Sequence, residues 1–221
     1  MRMIKQLLTV VLVGAFTITM TWPRSKASAA DPAFHVSAGE RQLFLDDVGI
    51  ERIEKLTRTM HPVSKKGAVI RPNGRLGVAT VQVRTAPVWD PQEKIYKLWD
   101  TAASPPDLYA AGKASSGYYE STDGLHWSQP ALGQIEYDPW PQNNYISLVA
   151  NGRHTRTDYV AYDPVDPDPS RRYKCALPPV GFAVSPDGRK WRMLDNVPGV
   201  SSGDEANFSF DVKARLFILT V

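Results

Sequence analysis

Short apolar and aromatic segments, separated by clusters of Asp, Pro, Gly and charged residues, make up most of the chain after residue 77. Such segments predict β-strands joined by tight turns. The 18 Pro and 15 Gly residues favour the same interpretation, because both residue types interrupt helices. The pattern therefore predicts an all-β protein.

One motif, S-x-D-G-x-x-W, occurs twice, as STDGLHW at 121–127 and as SPDGRKW at 185–191. Asp-Gly favours a tight turn, because glycine accepts a positive φ and Asp can hydrogen-bond to its own backbone. Each motif is therefore expected to close a hairpin between the apolar segments on its two sides.

A second hairpin signal precedes each copy of the motif. An aromatic residue, Asp-Pro, a charged loop and Tyr-Lys follow one another in 89–97 and again in 162–174, and NFSFDVKARLFILTV begins a third copy. Two hairpins make a four-stranded antiparallel sheet, and repeated sheets with periodic aromatic motifs are typical of a β-propeller. Trp127 and Trp191 are then expected to fill the gaps between neighbouring sheets.

The repeat predicts an incomplete propeller of about two and a half four-stranded blades over residues 77–221. The predicted blades, in chain order, are 77–130, 144–194 and the start of a third at 204–221. An N-terminal arm at 30–76 contains RQLFLDD, which resembles a strand, and IERIEKLTRT, which is either a strand or a short helix. Because the chain stops inside the apolar strand ILTV, we expect it to be truncated or to need a partner that completes the fold.

Residues 1–29 have the pattern of a secretory signal peptide. Arg2 and Lys5 precede the apolar run LLTVVLVGAFTITM, and Ala27-Ser28-Ala29 fits a cleavage site. A membrane anchor is the alternative, but the run is short for a bilayer span of about 20 residues. We expect the mature protein to be secreted or periplasmic, with no membrane attachment after cleavage.

Removing the leader changes the charge of the chain. The whole sequence carries a net charge of +3, but the leader holds four basic and no acidic residues, which leaves 22 basic and 23 acidic residues. Without the leader the chain has no excess of positive charge, which was the main argument for a nucleic-acid partner. The single cysteine, Cys175, cannot form an internal disulfide, and its position in an apolar segment predicts a buried structural thiol.

Several pieces of the sequence together resemble secreted bacterial proteins of the glycosyl hydrolase family 32 and family 43 type. These pieces are RQLFLDD with LTRTMHP, YYESTDGLHWSQPALGQIEY, the pair Asn143 and Asn144, DPDPSRRYK and the second S-P-D-G-x-x-W. The resemblance implies a five-bladed β-propeller that hydrolyses glycosidic bonds of an oligo- or polysaccharide at its central channel, without a cofactor. The Asn-Asp-Pro signature of the invertase-like members is absent here.

The resemblance also implies acids at the leading ends of the innermost strands, meaning the residues just before each strand. Asp204 and Glu205 are therefore the main catalytic candidates, and Asp47 is a third if the arm reaches the channel. Neighbouring strand residues point to opposite faces, so only one acid of an adjacent pair should face the channel. A solvated loop before a strand is the structural alternative for Asp204 and Glu205, and an exposed strand end is the alternative for Asp47.

Amide side chains are the candidates for substrate binding. Asn143, Asn144 and Asn207 are expected to hydrogen-bond to sugar hydroxyls, with strand-capping turns as the alternative for the first two. The histidines lack the spacing of metal ligands, so no metal site is predicted.

Two other functions remain open at this point. A non-catalytic carbohydrate-binding propeller would show exposed aromatics and amides at the channel, without paired carboxyl groups. A sialidase-like propeller has a residue between the Asp and the Gly of its repeat and needs an arginine cluster. An enzyme that cleaves glycosides needs two carboxyl groups about 5 Å apart for retention, or about 6.5 to 9.5 Å apart for inversion.

Overall fold

The structure is a computed structural model, which describes residues 34–72, 74 and 78–221. The chain divides between Val63 and Ser64 into two compact units. The predicted signal peptide lies outside the described residues.

The second unit is built from antiparallel β-strands, as the pattern of turn residues predicts. A short helix, α1 (Pro106–Ala110), and a 3₁₀ turn at Pro169–Arg171 lie in its connections. The strands are β1 (Val88–Asp90), β2 (Ile95–Asp100), β3 (Gly117–Ser121), β4 (Leu148–Ala150), β5 (Arg153–Thr155), β6 (Tyr159–Tyr162), β7 (Tyr173–Leu177), β8 (Gly181–Ser185), β9 (Arg192–Met193), β10 (Asn207–Asp211) and β11 (Leu216–Thr220).

These strands form two sheets and two separate hairpins. The first sheet has the order β1-β2-β3 and the second has the order β6-β7-β8-β9, while β4-β5 and β10-β11 are hairpins. Both sheets follow the predicted order of strand, Asp-Pro turn, strand, gap, strand and Asp-Gly turn. In the first sheet the fourth strand is reduced to one bridge, in which Glu120 and Ser128 exchange backbone hydrogen bonds of 3.0 and 2.8 Å.

The second sheet is the middle layer of the unit, and all five residues of β7 are buried. Cys175 and Leu177 pack with Trp99 of the first sheet. Ala176, between them, packs with Phe208 of the hairpin β10-β11. Because successive strand residues point to opposite faces, the second sheet is covered on both sides. The prediction that Cys175 is a buried thiol is confirmed.

The S-x-D-G-x-x-W motif forms a closed turn whose bonds are local. The Ser121 hydroxyl accepts the N–H of Gly124 at 2.8 Å and donates to the Asp123 carboxylate at 3.0 Å, and the Trp127 indole N–H donates to the Gly124 carbonyl at 3.0 Å. The glycine has a φ of +73°, which a side chain would strain. The second copy makes the same bonds among Ser185, Asp187, Gly188 and Trp191.

The predicted role of the two motif tryptophans between sheets needs a correction. Trp191 does pack against the core between the two sheets, at 6.3 Å from the Trp99 ring. Trp127 belongs to none of the three core clusters found among the described residues. The fully buried indole is that of Trp99, which donates to the Gly188 carbonyl at 2.8 Å. A tryptophan of the first sheet therefore binds the Asp-Gly turn of the second.

The first unit does not form the predicted strand. Its described residues, 34–63, contain neither helix nor strand. Leu43 and Leu45 of RQLFLDD are 78 and 69% exposed, so the segment buries no apolar face. A lone extended segment also has no partner for its backbone N–H and C=O groups, which a strand requires.

Candidate functional site

The leading ends of three successive β units meet at one place in the second unit. Arg84 precedes β1, Asp158 precedes β6 and Glu205 precedes β10. Arg84 donates a hydrogen bond to the Glu205 carboxylate and forms an ion pair with it. Asp158 is close enough for the charges of both Arg84 and Glu205 to affect its pKa. We call these three residues, together with Tyr159 and Arg156, the acid–arginine site.

Tyr159 connects the parts of the acid–arginine site. Its hydroxyl accepts a hydrogen bond from Arg84 Nη1 at 3.1 Å and another from the backbone N–H of Ala206 at 2.9 Å. The guanidinium carbon of Arg84 lies 5.8 Å from the centre of the tyrosine ring. Tyr159 is itself buried in the core between β6 and β10, so its hydroxyl has a fixed position.

Asp158 combines a fixed backbone with an unsatisfied carboxyl oxygen. The Thr85 hydroxyl donates to its carbonyl at 3.3 Å and accepts the N–H of Val160 at 2.8 Å, which ties β6 to the segment before β1. The carboxyl oxygen Oδ1 is buried and accepts no hydrogen bond from the described residues. The Nε atom of the neighbouring Arg156 lies 3.9 Å from Oδ1, which is too far for a hydrogen bond.

The surroundings of Asp158 raise its pKa. Burial raises the pKa of Asp158, while Arg156 and Arg84 lower it by less and Glu205 raises it further. Burial alone would lower the pKa of Arg84, but Tyr159 and the two carboxylates outweigh it and raise that pKa, so the guanidinium stays charged. The site therefore holds a carboxyl group with a raised pKa near a carboxylate that is paired with an arginine.

This arrangement fits general acid–base chemistry. A carboxyl with a raised pKa can donate a proton to a leaving group, whereas a carboxylate held by a cation can act as a base or nucleophile. Arg84 separates the two roles, because it binds Glu205 directly and affects Asp158 only through space.

Of the predicted catalytic residues, the structure brings only Glu205 into this site. Asp204, its neighbour, is exposed and makes no contact with Arg84 among the ion pairs of the described residues. Asp47 lies in the first unit, where its 81% exposed carboxylate pairs with Arg58.

The predicted substrate-binding asparagines have other partners. Asn143 is fully buried and donates to the carbonyls of Ile135 and Trp140, both at 2.9 Å. Asn144 is also buried and donates to the Tyr118 carbonyl at 2.7 Å. Both amides therefore donate to backbone carbonyls instead of binding the sugar hydroxyls that the sequence analysis predicted. The exposed Asn207 pairs with Thr220 through the ladder between β10 and β11.

The leading end of the second sheet lies at Asp158 and not at Asn143 and Asn144, as the sequence analysis expected. The reason is an additional hairpin, β4-β5, whose turn contains Asn151 and Gly152 with φ of 52 and 74°. Asn-Gly is a strong signal for such a turn. This hairpin separates the two asparagines from the first strand of the second sheet.

Sequence reasoning missed Arg84, Asp158 and Tyr159, although the repeat contains a signal for them. Arg84 and Glu205 each stand six residues before the repeated aspartate, at Asp90 and Asp211. Asp158 stands five residues before the aspartate of its own copy, Asp163. Aligning the three copies on this aspartate would have placed the three side chains at nearly the same level of neighbouring sheets.

Comparisons with protein-family models, curated proteins and solved structures found no match for this chain. Among the residues that the structure describes, no group of His, Cys, Asp or Glu side chains is placed to hold a metal ion. Within the same part of the chain, no helix has the length and apolar character needed to cross a bilayer.

Proposed function

We propose that the protein is an exported, glycosidase-like β-propeller that hydrolyses glycosidic bonds of an oligo- or polysaccharide, with Asp158 as proton donor and Glu205 as nucleophile or base. The observation that carries this proposal is that Glu205, at the leading end of β10, pairs with Arg84, while Asp158, at the leading end of β6, is close enough for both charges to affect its pKa. Glycoside cleavage requires such a pair, one protonated and one ionised.

The arrangement of the sheets supports a propeller of the family 32 and family 43 type. Two successive sheets share one strand order and one closing turn, and the second sheet packs on the first with one face and on β10-β11 with the other. The first strands of the last two units, β6 and β10, lie side by side. In a propeller these strands line the central channel, which is where the proposed carboxyl groups belong.

The burial of Asp158 supports its role as the acid. Its Oδ1 atom receives no hydrogen bond from the described residues, and the charges of Arg156 and Arg84 offset only part of the effect of burial. Glu205 is 64% exposed and paired with Arg84, which leaves its carboxyl group accessible to substrate.

Hydrolysis by the full chain tests this function. The chain is incubated with arabinan, xylan, fructan and other glycans, and released reducing sugar is measured for the wild type and for Asp158→Asn and Glu205→Gln. We expect each substitution to lower the rate by about 100-fold or more on the substrate that is cleaved. Asp204→Asn is the matched control, because it removes the adjacent exposed acid, and it should keep the wild-type rate.

The outcomes of this assay separate the proposal from its alternatives. Full activity of both site variants would overturn the assignment of the carboxyl groups. Glycan binding without hydrolysis by the wild type would instead indicate a non-catalytic carbohydrate-binding propeller. Selective cleavage of sialosides would indicate the sialidase-like alternative.

A further inference from the structure

The hydroxyl of Tyr159 is the point where three separate chain segments meet. Tyr159 begins β6, its hydroxyl accepts from Arg84 in the segment before β1, and it accepts from the N–H of Ala206 in the segment before β10. The Tyr159 oxygen therefore joins the segment before β1 to the segment before β10.

We propose that Tyr159 is a positioning residue for the acid–arginine site, whose hydroxyl holds Arg84 beside Glu205 and within electrostatic reach of Asp158. This inference rests on the proposed function for its biological meaning, but the geometry that carries it is independent of any substrate. The ring of Tyr159 packs in the core and lies beside the Arg84 guanidinium, while its hydroxyl makes the hydrogen bond to Arg84.

The hydrogen bond to Tyr159 is needed to fix Arg84 because the ion pair between Arg84 and Glu205 is weak. Glu205 is 64% exposed, and an ion pair to an exposed carboxylate contributes little and is easily exchanged for water. The guanidinium also lies beside the Tyr159 ring, at 5.8 Å from its centre. Without the hydroxyl, Arg84 keeps the ring beside it but loses the bond that fixes its direction.

The ionisation of Asp158 reports the position of Arg84 without any sugar. The charged or titratable groups that face Asp158 are Arg156, Arg84, Glu205 and the buried Cys175 thiol on β7. Arg84 lowers the pKa of Asp158 by more than Glu205 raises it. Displacing Arg84 should therefore raise the pKa of Asp158, even if Glu205 moves away with it.

The experiment is a ¹³C NMR titration of the Asp158 carboxyl in the full chain. For Tyr159→Phe, which keeps the ring, we expect the titration midpoint to rise by about half a pH unit or more. Tyr162→Phe is the matched control, because it removes a hydroxyl from the other end of the same strand, and it should leave the midpoint unchanged. A folded Tyr159→Phe protein with the wild-type midpoint would overturn the proposal.

A double-mutant cycle separates positioning from a general structural effect. Arg84→Met alone should raise the Asp158 midpoint at least as much as Tyr159→Phe, and Tyr159→Phe should add nothing further in the Arg84→Met background. An equal shift in both backgrounds, or no shift in Arg84→Met alone, would refute the proposal. A chain that cleaves no glycan but shows these shifts would lose the proposed function and keep the positioning role of Tyr159.

Discussion

Replacing Gly188 by alanine tests how closely the Asp-Gly turn of the second sheet packs against the first sheet. Gly188 has a φ of +75°, and a Cβ atom there would lie 2.8 Å from Cζ2 of Trp99. Gly124 occupies the same place in the first copy of the motif, with a φ of +73°, but its Cβ would meet nothing closer than Tyr96 at 3.9 Å. The two glycines therefore share the backbone conformation and differ in their surroundings.

The expected losses of stability follow from this difference. An alanine in the left-handed region costs about 1 kcal/mol at either position. At Gly188 the clash with a buried ring adds about 1 to 3 kcal/mol. We therefore expect Gly188→Ala to lower the free energy of unfolding by about 2 to 4 kcal/mol, and Gly124→Ala by about 1 kcal/mol.

Urea unfolding followed by circular dichroism measures both variants against the wild type. The midpoint should fall much further for Gly188→Ala, with a similar dependence of the free energy on urea. Equal losses in the two variants would refute the reasoning, because the turn would then not be packed against Trp99.

Two further predictions concern the buried pair between Lys97 and Asp90, whose side chains are both 0% exposed and 2.8 Å apart. Lys97→Met should lower the free energy of unfolding by about 3 to 5 kcal/mol, because it leaves a buried carboxylate without its cation; Arg52→Met, which breaks the exposed pair with Glu54, should change it by less than about 1 kcal/mol in the same urea assay. The second prediction concerns the loss of stability at low pH. Burial alone would raise the pKa of Asp90, but hydrogen bonds from Lys97 and Tyr173 outweigh it and hold that pKa well below its usual range. The ionised Asp90 therefore stabilises the fold above the pKa of an unfolded Asp, about 3.9, and this stabilisation is lost as the pH falls below that value. The urea midpoint should fall between pH 5 and about pH 2 by more in the wild type than in Asp90→Asn, and an equal fall would contradict this attribution.

The local part of the fold could be predicted from the sequence because its bonds are local. Ser121, Asp123, Gly124 and Trp127 bond to one another within seven residues, so the motif alone determines the turn. The order of strands around the Asp-Pro and Asp-Gly turns follows from the same short-range chemistry. Packing between sheets depends on residues far apart in the chain, such as Trp99 and Gly188, and no local pattern indicates it.

In the candidate site, too, local features could be predicted from the sequence and contacts between distant residues could not. Glu205 was predicted from the resemblance, because it precedes a recognisable apolar strand. Asp158 was missed because the hairpin β4-β5 was not recognised, so the start of the second sheet was placed too early in the chain. Tyr159 and Arg84 could not be assigned roles from the sequence, since their functional contact joins residues 75 positions apart.

The proposed function requires that Asp158 and Glu205 share one site although they precede strands of different sheets. The most direct test is the titration midpoint of the Asp158 carboxyl, measured by ¹³C NMR in the wild type and in Glu205→Gln. Removing the charge that raises the pKa of Asp158 should lower this midpoint, whereas Asp204→Asn should leave it unchanged. A midpoint that stays the same or rises in Glu205→Gln would contradict a shared site.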